Sequence, residues 1–218
     1  MRRLVLLVVV ATTVAAGAVD ALARDGHHRG EGPRAMCAGR VATIVGTPGE
    51  DRIRGTSHAD VIVAGGGSDT VDGRGGNDII CGGSGRDHLN GGSGRDEIFG
   101  GDGNDVVSGG RGNDVISGGR GDDTLNGDNG DDRLSGDQGD DTESGDAGSD
   151  HVSGDAGNDH LFGDDHGDTH GSDDGNDTLE AGTGHDHMDG GDGDNTEHGD
   201  GNDTCTSGGS GHDCGSDG

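Results

Sequence analysis

The apolar residues of this chain recur singly, once in every nine positions, over most of its length. From Gly46 the sequence divides into nonapeptides such as GGSGRDHLN (82–90) and GGDGNDVVS (100–108), in which the apolar residue takes position 8. One inward side chain between outward neighbours is the alternation of a short strand. The pattern therefore predicts a turn over positions 1–6 and a short strand, of about three residues, over positions 7–9 of each repeat.

A repeat with one inward apolar side chain cannot form a core alone, but stacked repeats can, which is the logic of a solenoid. Two repeats per coil would place successive position-8 residues on two facing parallel sheets. Residues eighteen apart would then stack directly, at the usual strand spacing of about 4.8 Å. The phase holds until Gly190 and shifts by one residue after it.

The remaining fixed positions are glycine and aspartate. Position 4 is Gly almost throughout, and positions 1 and 2 are mostly Gly or Asp, which indicates tight turns with positive φ or close backbone approach. Position-2 aspartates such as Asp128 and Asp137 suit a left-handed backbone better than most residues do. Position 6 is Asp in nearly every repeat, with Asn195 as the exception, so stacking would align carboxylates in a row along each edge.

Composition raises the question of how such a chain folds. Glycine supplies 53 residues, apolar residues make up 25%, and the net charge is −30. Low hydrophobicity with high charge is typical of disorder unless cations neutralise the carboxylates. The same charge disfavours nucleic acid and anionic membrane surfaces as partners.

The N-terminus predicts export. A basic start (Met1–Arg3), an apolar run (Leu4–Val19) and Ala21-Leu22-Ala23 form a signal peptide over residues 1–23, although an uncleaved signal anchor is the alternative. We therefore expect a secreted, extracellular protein that is not inserted in the membrane after cleavage.

The cysteines agree with an oxidising compartment. There are four of them, Cys37, Cys81, Cys205 and Cys214, and they allow three pairings. We favour Cys37–Cys81 and Cys205–Cys214, which would clamp the two ends of the array. A zinc site is disfavoured because the sequence has no C-x-x-C pair.

The repeats GGSGRDHLN, GGSGRDEIF, GGDGNDVVS and GGRGNDVIS resemble the G-G-x-G-x-D-x-U-x pattern of RTX, or haemolysin-type, calcium-binding repeats. The resemblance runs from Gly46 to Gly215, and residues 37–51 also look like the cap of small secreted actinobacterial members. It implies an all-β fold, a parallel β-roll or right-handed β-solenoid with two nonapeptide repeats per coil and Ca²⁺ between the turns.

The resemblance further implies that position-6 carboxylates and glycine carbonyls bind calcium, a hard cation that takes six to eight oxygen ligands. The predicted carboxylates are Asp60, Asp69, Asp78, Asp87, Asp96, Asp105, Asp114, Asp123, Asp132, Asp141, Asp150, Asp159, Asp177 and Asp186. The predicted carbonyl ligands belong to Gly65, Gly67, Gly83, Gly85, Gly92, Gly94, Gly101, Gly103, Gly110, Gly112, Gly119 and Gly121. The best-ordered sites are expected between Asp69 and Asp132.

The predicted organisation has four parts: the signal peptide, an N-terminal segment or cap (24–45), a regular β-roll (46–162), and degenerate repeats with a C-terminal cap that is partly disordered (163–218). In the degenerate part His166 replaces the position-4 glycine, and position 8 becomes polar at His170 and Glu197, as it already is at Glu143. Histidines at outward positions are interpreted as surface residues rather than as a transition-metal site.

Three functions are compatible with this pattern. The favoured one is a non-enzymatic, secreted calcium-binding protein that folds on Ca²⁺ to a rigid module. The second is an acidic disordered polymer that binds cations loosely. The third, an accessory repeat region of an enzyme or toxin, is disfavoured because residues 24–45 are too few for a catalytic domain and neither G-x-S-x-G nor H-E-x-x-H occurs. The sequence indicates no particular protein or cell-surface partner.

Overall fold

The computed structural model describes residues 35–164, 175–191, 195–199, 202–207 and 212–214. The predicted signal peptide lies outside these ranges. The described residues form strands, turns and bends, without any helix. Among them there is accordingly no helix of the length and apolarity that a membrane crossing needs.

The strands are short and follow one another at the period of the repeat. They are β1 (Met36–Cys37), β2 (Arg40–Val41), β3 (Ile44–Val45), β4 (Arg52–Arg54), β5 (Val61–Gly66), β6 (Thr70–Asp72), β7 (Ile79–Ser84), β8 (His88–Ser93), β9 (Glu97–Asp102), β10 (Val106–Arg111), β11 (Val115–Arg120), β12 (Thr124–Asn129), β13 (Arg133–Gln138), β14 (Thr142–Ser144), β15 (His151–Ser153), β16 (His160–Phe162), β17 (Thr178–Glu180), β18 (His187–Gly191), β19 (Thr196–Gly199), β20 (Thr204–Ser207) and β21 (His212–Cys214).

From β3 onward the strands belong alternately to two parallel sheets. Within the described residues one sheet has nine strands, from β4 to β20, and the other has ten, from β3 to β21. Neighbours in a sheet are two strands apart along the chain, so that Val107 pairs with Leu89 on one side and Leu125 on the other. The predicted all-β, parallel solenoid is confirmed.

The core is a thin row of position-8 side chains between the two sheets. The buried members are Ile62, Val71, Ile80, Leu89, Ile98, Val107, Ile116, Leu125, Leu134, Val152, Leu161, Leu179 and Met188. This confirms the inward position read from the sequence. The stack also begins earlier than the predicted first repeat, because Ile44 occupies the same position, pairs with Ile62 and packs against this core.

The central strands are longer than the pattern predicts. Strands β7 to β13 each have six residues, because positions 1–3 of the next repeat continue the ladder. In β10, for example, Gly110 pairs with Asp128 and Arg111 with Asn129. Gly110 has φ of +108°, a left-handed value that bends the strand while its backbone stays paired. Sequence alternation does not show this because glycine has no side chain to alternate.

The pairing passes over one nonapeptide near the C-terminal end. The prediction that residues eighteen apart stack throughout was wrong here, because Val152 pairs with Leu179 and Leu161 with Met188. The nonapeptide passed over begins at Gly163 and carries His166 at position 4 and His170 at position 8. The first substitution would strain a left-handed turn and the second would bury a polar ring. Residues 165–174 lie outside the described part, as do other parts of the segment predicted to be partly disordered.

An antiparallel hairpin of β1 and β2 precedes the solenoid and packs on the outward side chains of the ten-stranded sheet. Cys37 of the hairpin contributes with Val63 and Ile79 to a second apolar cluster, which Phe99 also contacts. The predicted disulfide Cys37–Cys81 is present and fastens the hairpin to β7. Cys205 is also disulfide-bonded, but the side chain of Cys214 lies outside the described residues, so that pairing stays a prediction.

The left-handed positions provide a test of the fold. Gly94 has φ of +135° and an added Cβ would collide with the carbonyl oxygen of Gly76. We expect Gly94→Ala to lower the free energy of unfolding by at least about 2 kcal/mol, since strained φ and steric overlap combine. Arg74, whose φ is +77°, is the opposite case, and Arg74→Gly should raise stability or leave it unchanged. Urea denaturation of both variants checks this, and equal stability of Gly94→Ala and wild type would contradict the assigned turn geometry.

Candidate metal centre

Two rows of carboxylates run along the solenoid, one beside each sheet. Each row consists of position-6 aspartates, every one placed immediately before a strand, as Asp105 is before β10. Their side chains are no more than 3% exposed from Asp69 to Asp186, whereas Asp60 is 8% exposed. The structure therefore brings together, as neighbours in two rows, all the carboxylates that the sequence predicts as ligands.

One oxygen of each carboxylate is used to join successive coils. The backbone amide of Asp87 donates to Oδ1 of Asp105 at 2.8 Å, and that of Asp105 donates to Oδ1 of Asp123 at 2.7 Å. In the other row Asp96 and Asp114 are joined in the same way at 2.7 Å. This hydrogen bond aligns each carboxylate and fixes the stacking of one coil on the next.

The second oxygen, Oδ2, is buried and has no hydrogen-bond donor over most of the array. Burying a polar group without a donor or counter-charge is costly. The aspartates with such an oxygen are Asp69, Asp78, Asp87, Asp96, Asp105, Asp114, Asp123, Asp132, Asp141, Asp150 and Asp159. An oxygen ligand of this kind fits a hard cation, so these residues are suited to calcium.

Position-1 glycine makes the room that Oδ2 occupies. A Cβ added to Gly82 would lie 2.5 Å from Oδ2 of Asp87 and 2.6 Å from the carbonyl oxygen of Gly100. The carboxylate oxygen and a carbonyl of the next coil therefore face the same small space. A side chain on Gly82 would fill it, which explains this glycine by close approach rather than by positive φ.

The predicted carbonyl ligands are glycines at positions 2 and 4, the former inside the extended strands and the latter in the bends that follow them. Each of these glycines has positive φ, from +105° at Gly67 and Gly92 to +135° at Gly94. Their carbonyls point along the stack, since a Cβ added to Gly85 would collide with the oxygen of Gly67. Asp128 and Asp137 also have positive φ, 71° and 73°, as predicted for aspartate at position 2.

Burial raises the pKa of the row aspartates from Asp69 to Asp159, and neighbouring carboxylates add to this. The pKa rises to about 6 for Asp105, about 7 for Asp123 and about 8 for Asp132 and Asp141. Desolvation is the largest cause, and the amide hydrogen bond opposes it without cancelling it. A metal-free array near neutral pH must therefore hold protons or bear unneutralised buried charge.

Asp60 differs from the other predicted ligands. Its Oδ2 accepts hydrogen bonds from the backbone amide of Thr56 at 2.7 Å and from Thr56 Oγ1 at 2.9 Å. Asp51, which the sequence analysis did not include, is held in the same way by Thr47 at 2.6 and 2.8 Å. A threonine at position 2 was the available signal that these two carboxylates have protein donors.

Beyond the nonapeptide that the pairing passes over, the rows continue. The amide of Asp150 donates to Oδ1 of Asp177 at 2.9 Å, and that of Asp159 donates to Oδ1 of Asp186 at 2.8 Å. Asn195 takes the same place, because its Oδ1 accepts the amide of Asp177 at 2.8 Å. Asparagine thus preserves the hydrogen bond between coils while removing the charge.

Side chains alone do not complete a metal site here. Among the described residues no three or more His, Cys, Asp or Glu side chains converge to hold a metal ion. A cation at the rows would therefore take further oxygens from backbone carbonyls, which the glycine turns supply. The geometry defines a class of acidic parallel β-solenoids whose buried carboxylate rows suit cations.

Comparison with known proteins identifies the family. The sequence pattern of the RTX calcium-binding nonapeptide repeat matches residues 45–80, 82–116, 108–143, 144–169 and 172–205. The chain therefore belongs to the family of RTX calcium-binding nonapeptide-repeat proteins. No curated protein sequence matches the chain.

The raised pKa values give a pH dependence with a definite sign. A folded-state pKa above the unfolded value of 3.8 means that the folded, metal-free protein binds protons more tightly. Its stability should therefore be greatest at low pH and fall as the pH rises from about 4 through about 8. We expect the folded fraction in EDTA, measured by far-UV circular dichroism, to be lower at pH 8.5 than at pH 5.5, and calcium to remove this fall.

Two matched double variants distinguish the effect of the buried carboxylates on this pH dependence from the effect of general charge repulsion. Asp132→Asn with Asp141→Asn should make the fall smaller, because it removes two buried titrating groups. Asp131→Asn with Asp140→Asn removes two exposed charges from adjacent positions and should change it less. A folded fraction in EDTA that rises with pH, or equal effects of the two pairs, would show that the buried carboxylates do not govern stability.

Proposed function

We propose that this protein binds calcium along its two carboxylate rows and requires it to fold into a rigid β-roll. In this proposal two nonapeptide repeats form each coil of a right-handed solenoid, with Ca²⁺ between successive turns. The observation that carries it is the run of buried Oδ2 atoms without donors, one in every repeat from Asp69 to Asp159. Calcium supplies the positive charge, and this chain supplies the carboxylates and the glycine carbonyls.

Calcium suits these residues better than softer or smaller metals. The donor set is oxygen only, which excludes a preference for metals that favour thiolate or imidazole ligands. Magnesium demands near-ideal octahedral geometry and loses water reluctantly, whereas calcium accepts irregular arrangements of carboxylates and carbonyls. Extracellular calcium modules bind with a Kd of about 10⁻⁴–10⁻³ M, and binding that is absent from the unfolded chain becomes folding free energy.

We also propose that the protein is secreted and acts outside the cytoplasm. The apolar run and Ala21-Leu22-Ala23 support export, and the disulfide Cys37–Cys81 supports an oxidising compartment. We propose no enzymatic activity for the repeats. Self-repulsion of a chain with net charge −30 would keep it expanded at low calcium, so folding would follow export.

The test is a calcium titration of the purified protein followed by far-UV circular dichroism, with magnesium as the control ion. We expect a cooperative gain of β signal with calcium and little change with magnesium. No change with calcium would leave a cation-binding acidic polymer without a fold. A full β signal in EDTA would mean that the core and the disulfide suffice and that calcium is secondary.

A pair of adjacent substitutions tests the rows themselves. Asp123→Asn keeps an oxygen to accept the amide of Asp105, as Asn195 does for Asp177, but removes one buried charge. We expect weaker calcium binding and a more stable metal-free state. Asp122→Asn removes an exposed carboxylate at the preceding position and should alter both properties less. Calorimetric titration measures the difference, and indistinguishable isotherms for the two variants would exclude Asp123 as a ligand.

A further inference from the structure

Glu143 is a charged residue in the middle of the apolar core row. It stands at position 8, where Leu125 and Leu161 are its neighbours in the stack, and it is fully buried. Neither carboxylate oxygen of Glu143 has a hydrogen-bond donor. Two uncompensated oxygens in an apolar row are among the most costly features that a core can contain.

The side chain of Glu143 turns toward the carboxylate row. A Cβ added to Gly136 would collide with Oε1 of Glu143 and would lie 2.5 Å from Oδ2 of Asp141. The two oxygens therefore flank the same point, inside the space that position-1 glycine leaves open. In the other repeats from Asp69 to Asp159, only the aspartate supplies a carboxylate to this space, because position 8 is apolar.

A second glutamate in the same register position provides the contrast. Glu197 also takes position 8, but its repeat has Asn195 at position 6. There Oε1 of Glu197 accepts the backbone amide of Gly190 at 2.9 Å, and Nδ2 of Asn195 donates to the carbonyl of Gly190. The space beside Gly190 therefore receives one carboxylate, that of Glu197, together with a protein donor, whereas two carboxylates face each other in the space beside Gly136.

We propose that Glu143 and Asp141 together hold a calcium ion within the coil, in a two-carboxylate site whose remaining oxygens are backbone carbonyls. The inference rests on the proposed calcium function and adds a ligand from outside the position-6 rows. A divalent ion neutralises both carboxylates, and a site of higher ligand charge binds calcium more tightly. Desolvation and then Asp141 raise the pKa of Glu143, which agrees with a pair that needs a counter-charge.

The competing explanation is a proton shared between the two carboxylates, and Glu143→Gln separates the two. Glutamine has the shape of glutamate and can donate to Asp141, as a protonated glutamate would, but it brings no negative charge. We expect Glu143→Gln to lose one calcium ion from the total or to bind one ion at least about tenfold more weakly, the lower end for disturbed metal sites. Glu197→Gln is the matched control and should bind calcium as the wild type does.

The measurement is equilibrium dialysis with radioactive calcium on the purified protein, with folding checked by circular dichroism at saturating calcium. Glu143→Leu, which restores an apolar residue to the row, should show the same loss and serves if the glutamine variant does not fold. Wild-type stoichiometry and affinity in Glu143→Gln would overturn this site while leaving the proposed function intact. A wild type that binds no calcium would overturn both.

Discussion

The hydrogen bond from each position-6 amide to the carboxylate of the next coil is the interaction on which this structure depends. It joins Asp69 to Asp87 on one edge and Asp96 to Asp114 on the other. Each repeat contributes only one position-8 side chain to the apolar core, so the core contributes little that would set the register between coils. The carboxylate that sets this register is buried, and its second oxygen has no hydrogen-bond donor over most of the array. Register and the need for positive charge therefore have the same origin.

The glycines are needed both to leave space for the buried carboxylate and to form the left-handed bends of the backbone. At position 1 an added Cβ on Gly109 would lie 2.6 Å from Oδ2 of Asp114, so the absence of a side chain creates the space that holds the oxygen. At positions 2 and 4 between residues 65 and 148, the glycines adopt positive φ and direct their carbonyls along the stack. Aspartate replaces glycine only at position 2 in these roles, where Asp146 and Asp155 tolerate the left-handed backbone. The composition that suggests disorder is thus required by the coil geometry.

Most of the fold could be predicted because the nine-residue repeat determines where the strands lie and how they stack. The apolar position 8, the aspartate at position 6 and the glycine offsets predict a parallel solenoid with a carboxylate row along each edge, and the family match agrees. The burial of these carboxylates was not predicted. The strand length could not be predicted, since the residues that extend β10 are glycines without alternation. The hydrogen bonds of Thr56 to Asp60 depend on the side-chain position within one turn, and the period does not contain that information. The hairpin on the outer face rests on contacts between distant residues, such as Cys37 with Val63.

The buried carboxylates have protein donors in the first coils of the array and lack them further along. In the first coils Asp51 and Asp60 receive threonine donors, and the hairpin, its disulfide and the second apolar cluster add contacts there. In a solenoid each repeat contacts only its neighbours, so order can begin at one place and spread. The coils near β5 satisfy their own carboxylates, which makes them the part least dependent on a cation. From Asp69 to Asp159 every added repeat buries another oxygen without a donor, so the cation requirement grows with the length of this part of the stack. The repeat of Asp141 and Glu143, where two carboxylates share one space, is where that requirement is greatest among the described coils.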